Sequence, residues 1–491
     1  MSTDERVILS TGTLRGTRNG SVRSFFAIPY AAPPVGARRF AAPQPVEPWT
    51  GERDATLRGA SAPQRIRDFP GLDVIPLVGD GRARGDDYLT LNVHAPVDAA
   101  ARPVMVFIHG GGFVVGSKDA SVQDGTTFAR DGIVYVAINY RLGIDGFLPI
   151  PGVPTNLGLR DMIAALIWVR DNIAAFGGDP GNVTVFGESA GAMAVADLIA
   201  SPLAKGLFGR AIVQSGHGAM VRDISVAQRL VKKIAGILKV SPDAAGFRSM
   251  DSEAGLDAVE AVAKPTARID LRDSRGREPV FGISRFVPVF GDDVLPDTPV
   301  AALQKGVGAD VQLLIGSNAQ EMNLYFVPTG VKAKMRRWLA WVVLRKSMPR
   351  AWGVLNAYGA GRRLIGDVFV DATTDLVFRW PARVYAAAHR GRTHLYEFDW
   401  QSPAGGGLGA AHGMELPFVF DSLAITTGPE GLTGTAPPQD LATRIHALWV
   451  RFATDGYLPW AAFDADTRQV YQLERGEAVS EPPMPAAPFL A

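Results

Sequence analysis

The 491-residue chain contains no cysteine. That absence excludes disulfides, thiolate metal ligands and a cysteine nucleophile, so any nucleophile must be Ser, Thr, Lys or a carboxylate. It also favours a reducing compartment, and a cytoplasmic location is the expectation. Excess charge of either sign is missing as well. Fifty Lys and Arg against 49 Asp and Glu leave a formal charge of +1, so no global field steers the chain to nucleic acid. No apolar run reaches the roughly 18 residues of a membrane span. The opening MSTDERVILSTGTLRG has no basic stretch leading into an apolar one, and no signal peptide is expected. There is no His-x-x-x-His or similar ligand cluster, so neither metal nor cofactor is expected. Repeats and low-complexity linkers are absent too, and the chain reads as one domain over 1–491.

What is present is a 47% hydrophobic chain, enough to bury a sizeable core. Val7 to Val97 carries short strand-like pieces such as FFAIPY and LTLNVHAP between Pro-rich turns. From Pro103 the pattern changes. VMVFIHG and IVYVAINY are continuous apolar runs, as in strands buried on both faces of a parallel sheet. NLGLRDMIAALIWVRDNIAAFGG then shows helical spacing, stopped by Gly177-Gly178. VTVFG reads as a strand, AGAMAVADLIA as a helix and AIVQSG as a strand. VQLLIGS and THLYEFDW extend the same sheet, and LATRIHALWVRFATDG closes with a helix. The alternation predicts an α/β fold with a large, mainly parallel sheet and helices on both faces. The polar stretches 223–285 and 322–366 read as helical insertions that shape a pocket.

Two glycine-rich turns carry the chemistry. In VTVFGESAGAMAV, Ser189 stands between Gly187 and Gly191 at a strand-to-helix junction. A serine there is exposed at the carboxyl edge of the sheet, where open α/β folds bind ligands. The amide of Ala190 opens the helix and faces any oxyanion formed beside the serine. The bland alternative is a helix-capping serine between turn glycines. In FIHGGGFVVGS, three glycines follow a buried strand directly. Their amides can approach and hold developing negative charge. Acyl transfer needs such donors, each worth roughly 3–4 kcal/mol of barrier. Gly111, Gly112 and Ala190 are the expected oxyanion hole.

The serine needs a base, and there are seven histidines. His94 lies in a strand, His109 in the glycine loop, His389 at a helix end, His394 at a strand start and His446 in the last helix. His412, in GGGLGAAHGMELPFVF, follows the THLYEFDW strand and fits the chain order serine, acid, histidine. His217, after the AIVQSG strand, is the second choice. For the acid, Glu321 follows VQLLIGS and suits orienting the imidazole. Asp292, Asp293 and Asp375 are alternatives.

With these residues in place, the chain resembles the type-B carboxylesterase family of α/β-hydrolases. FFAIPYAAPPVGARRFAAPQPVEPW, GDDYLTLNV, HGGGF, NYRLGIDGF, NLGLRDMIAALIWVRDNIAAFGGDP, GESAGA and AHGMELPFVF fit family blocks in family order, nearly end to end. The resemblance implies an α/β-hydrolase fold and a small-molecule ester substrate cleaved through a Ser189–His412–Glu321 triad. It implies oxyanion donors at Gly111, Gly112 and Ala190, supporting roles for Glu188 and Ser215 beside the triad, and a buried Asp86–Arg141 ion pair. Secreted members carry a cysteine pair where this chain has Ala62 and Tyr88. Cholinesterases place a cation-binding tryptophan in the loop between them; Ala62 to Asp87 has none, so a choline ester is not the expected preference. Some members are silent adhesion proteins that lack the serine. The same machinery also suits a carbamate, an activated amide or a lactone, and a silent binding protein of this fold is the alternative from another class. Phe286 and Phe290 are candidates for the acyl side of the pocket.

One segment stands apart. Met322 to Gly366 contains nine basic residues and no acidic one, with Trp338, Trp341 and Trp352 among them. The preferred reading is a helical cap with a solvated basic face. The sharper one is a mobile lid meeting anionic substrates, or a membrane-surface contact by 332–352. Nucleic-acid contact has only charge behind it and is not expected. Monomer and homodimer remain equally open on sequence alone.

Overall fold

The computed structural model describes residues 3–66, 69–81, 83–264 and 266–489. The chain opens with the antiparallel strands β1 (Thr3–Leu9), β2 (Gly12–Asn19) and β3 (Val22–Pro29). β4 (Glu52–Asp54) pairs with β2, and β5 (Thr90–Pro96) with β3. The apolar runs follow as β6 (Arg102–Ile108), β7 (Val134–Ile138), β8 (Gly178–Glu188) and β9 (Arg210–Gln214). A separate two-stranded ribbon joins β10 (Arg222–Asp223) to β11 (Val289–Phe290). β12 (Gln312–Asn318), β13 (Thr393–Phe398), β14 (Gln469–Gln472) and β15 (Glu477–Ser480) complete the set.

Thirteen strands form one mixed sheet in the order β1-β2-β3-β5-β7-β6-β8-β9-β12-β13-β14-β15, with β4 beside β2. Every pairing from β7 across to β14 is parallel; the flanks are antiparallel apart from the short parallel β2–β4 pair. This is the α/β arrangement that the alternation of strands and helices predicts, and it agrees with the α/β-hydrolase fold that the family resemblance implies. The reason is visible in β6. Val104, Val106 and Ile108 enter one hydrophobic core while Met105 and Phe107 enter the other. Alternate side chains of a strand point to opposite faces, so a run apolar throughout requires cover on both. The helices Leu157–Asn172 and Ala190–Ala200 cover the first face and Gln439–Asp455 the second.

The sheet's rims differ from the sequence expectation. The hairpins β1–β2 and β14–β15 were absent from it, because their outward residues are polar and the runs are short. A second difference is a correction. Arg141 does not pair with Asp86, which is exposed. Its guanidinium is held by Asp161, 2.6 Å and 2.8 Å away, and by the Ala41 carbonyl at 2.7 Å. Asp161 projects from the helix Leu157–Asn172, so the pair ties that helix to the loop after β7.

Between Asp223 and Arg285 lie three helices, Ile224–Leu238, Ala244–Arg248 and Ser252–Ala263. Each starts at an aspartate, Asp223, Asp243 or Asp251, whose carboxylate accepts from an amide of the first turn. The β10–β11 ribbon brings the two ends of the segment together. After Glu321 come the short helices Asn323–Phe326, Val331–Lys334, Arg337–Arg345 and Ala351–Ala357. The last two share a small core of their own with the helix Ile365–Thr374, while Val331–Lys334 buries no side chain. Among the described residues no helix is long and apolar enough to cross a membrane.

Candidate active site

β6 and β8 lie side by side and end together, which brings the two glycine turns into contact. Ser189 begins the helix Ala190–Ala200 with φ +55° and ψ −124°, a region that non-glycine residues rarely occupy. The flanking glycines permit this turn. A Cβ on Gly191 would drive into the Ile108 carbonyl oxygen, and one on Gly187 would meet the Gly191 backbone at 2.6 Å. Gly111 and Gly112 have φ of +104° and +62°. Their amide N–H groups donate to no group among the described residues. Ser284 Oγ lies 2.8 Å from the Gly112 carbonyl oxygen and steadies the loop from the side.

β12 and the loop after β13 supply the remaining groups. His412 Nε2 lies 2.7 Å from Ser189 Oγ, and its Nδ1 lies 2.7 Å from Glu321 Oε2. The His412 amide also donates to the Glu321 carbonyl oxygen at 3.1 Å. The other Glu321 oxygen accepts from the Asn318 amide at 2.8 Å, so the turn after β12 fixes the carboxylate. Phe378 and Tyr325 pack on the imidazole with ring centroids 4.6 Å and 5.8 Å away. The chain thus assembles hydroxyl, imidazole and carboxylate in a hydrogen-bonded line.

Two further carboxyl groups act on the imidazole, Glu188 beside it and Glu415 through its charge. Glu188 Oε1 lies 3.2 Å from His412 Nε2, near enough for charge pairing although not aligned as a hydrogen bond. Glu415 accepts from Asn318 Nδ2 at 2.6 Å and from Gln214 Nε2 at 3.3 Å. Burial, opposed by the nearby imidazole, pushes the Glu188 carboxyl up to about 8. Burial and the charge of Glu321 push Glu415 up to about 7. For His412, burial pulls downward, but Glu188, Glu321 and Glu415 outweigh it and raise the imidazole to about 9. Neutralising Glu188 removes part of what raises His412, so the two groups compete for one proton.

The other sequence candidates lie elsewhere. His217 is buried, with Nε2 on the Val377 carbonyl at 2.7 Å and Nδ1 accepting from the Ala219 amide; burial lowers its pKa to about 4. It makes no contact with Ser189. Asp292 caps Val294 and Leu295, Asp293 pairs with Arg160, and Asp375 pairs with Arg379 and Tyr358. Ser215 follows β9 directly with φ +52°, and its buried Oγ has no hydrogen-bond partner among the described residues.

The serine opens into a cavity of about 370 Å³. Its walls include Leu77 and Val74, Leu256 and Val259, Phe286, and Tyr325. Phe286 therefore lines it, as expected. Phe290 does not; it sits in β11, packed against the core. Within 322–366 only Leu324 and Tyr325 reach the cavity. Residues missed by the sequence reading are Phe378, the 74–78 wall and Glu415. Glu415 had a readable signal: a lone carboxylate in the apolar run GMELPFVF, where a charge is not tolerated without a partner. Among the described residues no three His, Asp or Glu side chains converge as a metal-ligand set.

A family profile described as "Carboxylesterase family" matches residues 3–483. The para-nitrobenzyl esterase of Bacillus subtilis (strain 168) is 35% identical over 498 residues, covering 98% of this chain and 97% of that protein. The phenmedipham hydrolase of Pseudarthrobacter oxydans is 33% identical, covering 93% and 92%. Among solved structures, a PNB esterase superposes with a TM-score of 0.82 at 32% identity, covering 98% of this chain and 97% of the other. A Geobacillus stearothermophilus carboxylesterase gives 0.82 at 31%, covering 97% and 98%.

Proposed function

The chain belongs to the carboxylesterase family and is a carboxylic-ester hydrolase, and from its site we propose that Ser189, His412 and Glu321 carry the reaction through an acyl-enzyme. The supporting observation is the unbroken line from Ser189 Oγ through both imidazole nitrogens to Glu321, with 2.7 Å at each step. Ser189 Oγ attacks the ester carbonyl while His412 Nε2 takes its proton. Glu321 holds the Nδ1–H and stabilises the imidazolium that forms. The carbonyl oxygen becomes an oxyanion within reach of the Gly111, Gly112 and Ala190 amides. His412 then returns its proton to the leaving alkoxide, which departs as the alcohol. Water, losing a proton to the same nitrogen, attacks the acyl-serine and releases the acid. The largely apolar cavity suits an uncharged, small-molecule ester. From the 223–285 segment the helix Ser252–Ala263 and residues 283–285 line the pocket, together with Val74, Leu77 and Val78.

The same residue roles serve a carbamate, an activated amide or a lactone. The relatives named phenmedipham hydrolase and fumonisin B1 esterase are the reason to include such substrates in a test panel. Ser189→Ala should lower turnover of a para-nitrobenzyl ester about 10⁵-fold or more while leaving the fold intact. Hydrolysis by Ser189→Ala at the wild-type rate overturns the assignment. Covalent labelling by a fluorophosphonate separates a working site from a silent one: wild type should react, and Ser189→Ala should not.

A further inference from the structure

The helix Arg337–Arg345 turns an unusual face to solvent. Its inward side is Ala340 and Leu344, packed in the small core of the cap. Its outward side carries Trp338, 64% exposed, with Val342 and Val343 also exposed. A surface helix ordinarily puts polar residues there. Neither the cap core nor the ester pocket uses these side chains; none of them lines the cavity.

Cations surround this apolar face. Of the nine basic residues in 322–366, Lys332 pairs with Asp367 and Arg363 with Asp371. The other seven, including Arg336, Arg337, Arg345, Lys346 and Arg350, have no carboxylate partner among the described residues. The flanking aromatics are built into the array. Arg345 lies 4.8 Å over the Trp341 ring, Trp341 stacks on Trp352 at 6.2 Å, and Arg337 lies 5.9 Å over Trp352. In a chain whose net charge is +1, this is a local concentration of one sign around exposed tryptophan and valine.

We propose that this face docks on the headgroup region of an anionic lipid bilayer, with Trp338, Val342 and Val343 entering the interface and the arginines and lysines meeting lipid phosphates. Three features select that occupant. Exposed aliphatic side chains gain nothing from a polyphosphate backbone but are buried by acyl chains. Trp341 and Trp352 are stacked on each other and on their own arginines, so they are not splayed to receive bases. A second copy meeting this face through itself would set the unpaired Arg336, Arg337, Arg345 and Lys346 against the same four cations. Tryptophan with flanking Arg and Lys suits the interface because its ring is apolar at one end and polar at the other.

The full-length protein should float with vesicles of phosphatidylcholine and phosphatidylglycerol in equal parts, and not with phosphatidylcholine alone. Binding should disappear at about 1 M salt, where screening shortens to roughly 3 Å. Each cation lost should weaken binding about fivefold, so Arg345→Gln/Lys346→Gln/Arg350→Gln should lose roughly a hundredfold. Trp338→Ala should weaken it as well and abolish part of the blue shift in tryptophan emission. Both variants should hydrolyse a water-soluble ester like wild type, which shows that they fold. The proposal is overturned by no flotation with the anionic vesicles at low salt. Undiminished flotation of the triple variant overturns it too, as does tighter binding to duplex DNA than to these vesicles.

Discussion

His412 touches the buried carboxyl groups of Glu321 and Glu188 and feels the charge of a third, Glu415, and a protein interior does not hold such a cluster of bare carboxylates without binding protons within it. Glu321 makes the direct hydrogen bond. Glu188 sits on the other nitrogen, beside the serine. Both raise the imidazole, which must be neutral to act as a base. The acid limb of kcat/KM should therefore lie on the alkaline side of an ordinary histidine. In Glu188→Gln one of the charges that raise His412 is gone, the imidazole pKa falls, and the limb should move to lower pH. A pH–rate profile of the purified variant checks this; an unmoved limb shows that Glu188 does not act on the base. Glu321→Gln should behave differently. It removes the acceptor for Nδ1–H, so kcat should fall by orders of magnitude, by analogy with about 10⁴ for loss of the orienting acid in serine proteases.

At the scale of elements, the site depends on turns held from behind. The loop after β7 is fixed by Arg141, whose side chain is fully buried together with that of Asp161. A buried pair is a weak net stabiliser when intact, but removing one partner leaves an uncompensated charge. Asp161→Ala should cost about 3–5 kcal/mol in urea denaturation, whereas breaking an exposed surface pair such as Arg170–Asp171 should leave the midpoint almost unmoved. The glycine turns show the same dependence on neighbours. GESAGA and HGGGF are legible because each glycine has a backbone reason, and the structure supplies it: only glycine fits at 191, because the Ile108 carbonyl oxygen lies where a Cβ would be. The ion pair of Arg141 was not legible in this way. Asp86 and Asp161 are both carboxylates at plausible distances along the chain. Only the packing of the helix Leu157–Asn172 against the β7 loop decides between them.

For the molecule as a whole, the carboxyl cluster sets a pH dependence of stability. The folded pKa values of Glu188, Glu415 and His412 are all raised, to about 8, 7 and 9. The folded state therefore binds more protons than the unfolded chain between the ordinary glutamate value of 4.5 and about 9. Stability from these groups is full below that window and is lost as pH rises through it. The urea midpoint should be higher at about pH 6 than at about pH 9, and Glu188→Gln should flatten the difference. The sequence by itself determined the centre of the sheet and the serine turn, because buried parallel strands must be apolar throughout and a serine elbow needs glycine on both sides; between His412 and His217, and between Glu321 and Asp292, Asp293 and Asp375, local spacing gave only a preference. Tertiary structure alone decided the polar rim strands, the 74–78 wall of the cavity, the position of Phe378 against the imidazole and the crowding of three carboxyl groups. Those depend on segments far apart in the chain meeting in space, and local spacing carries no trace of such a meeting.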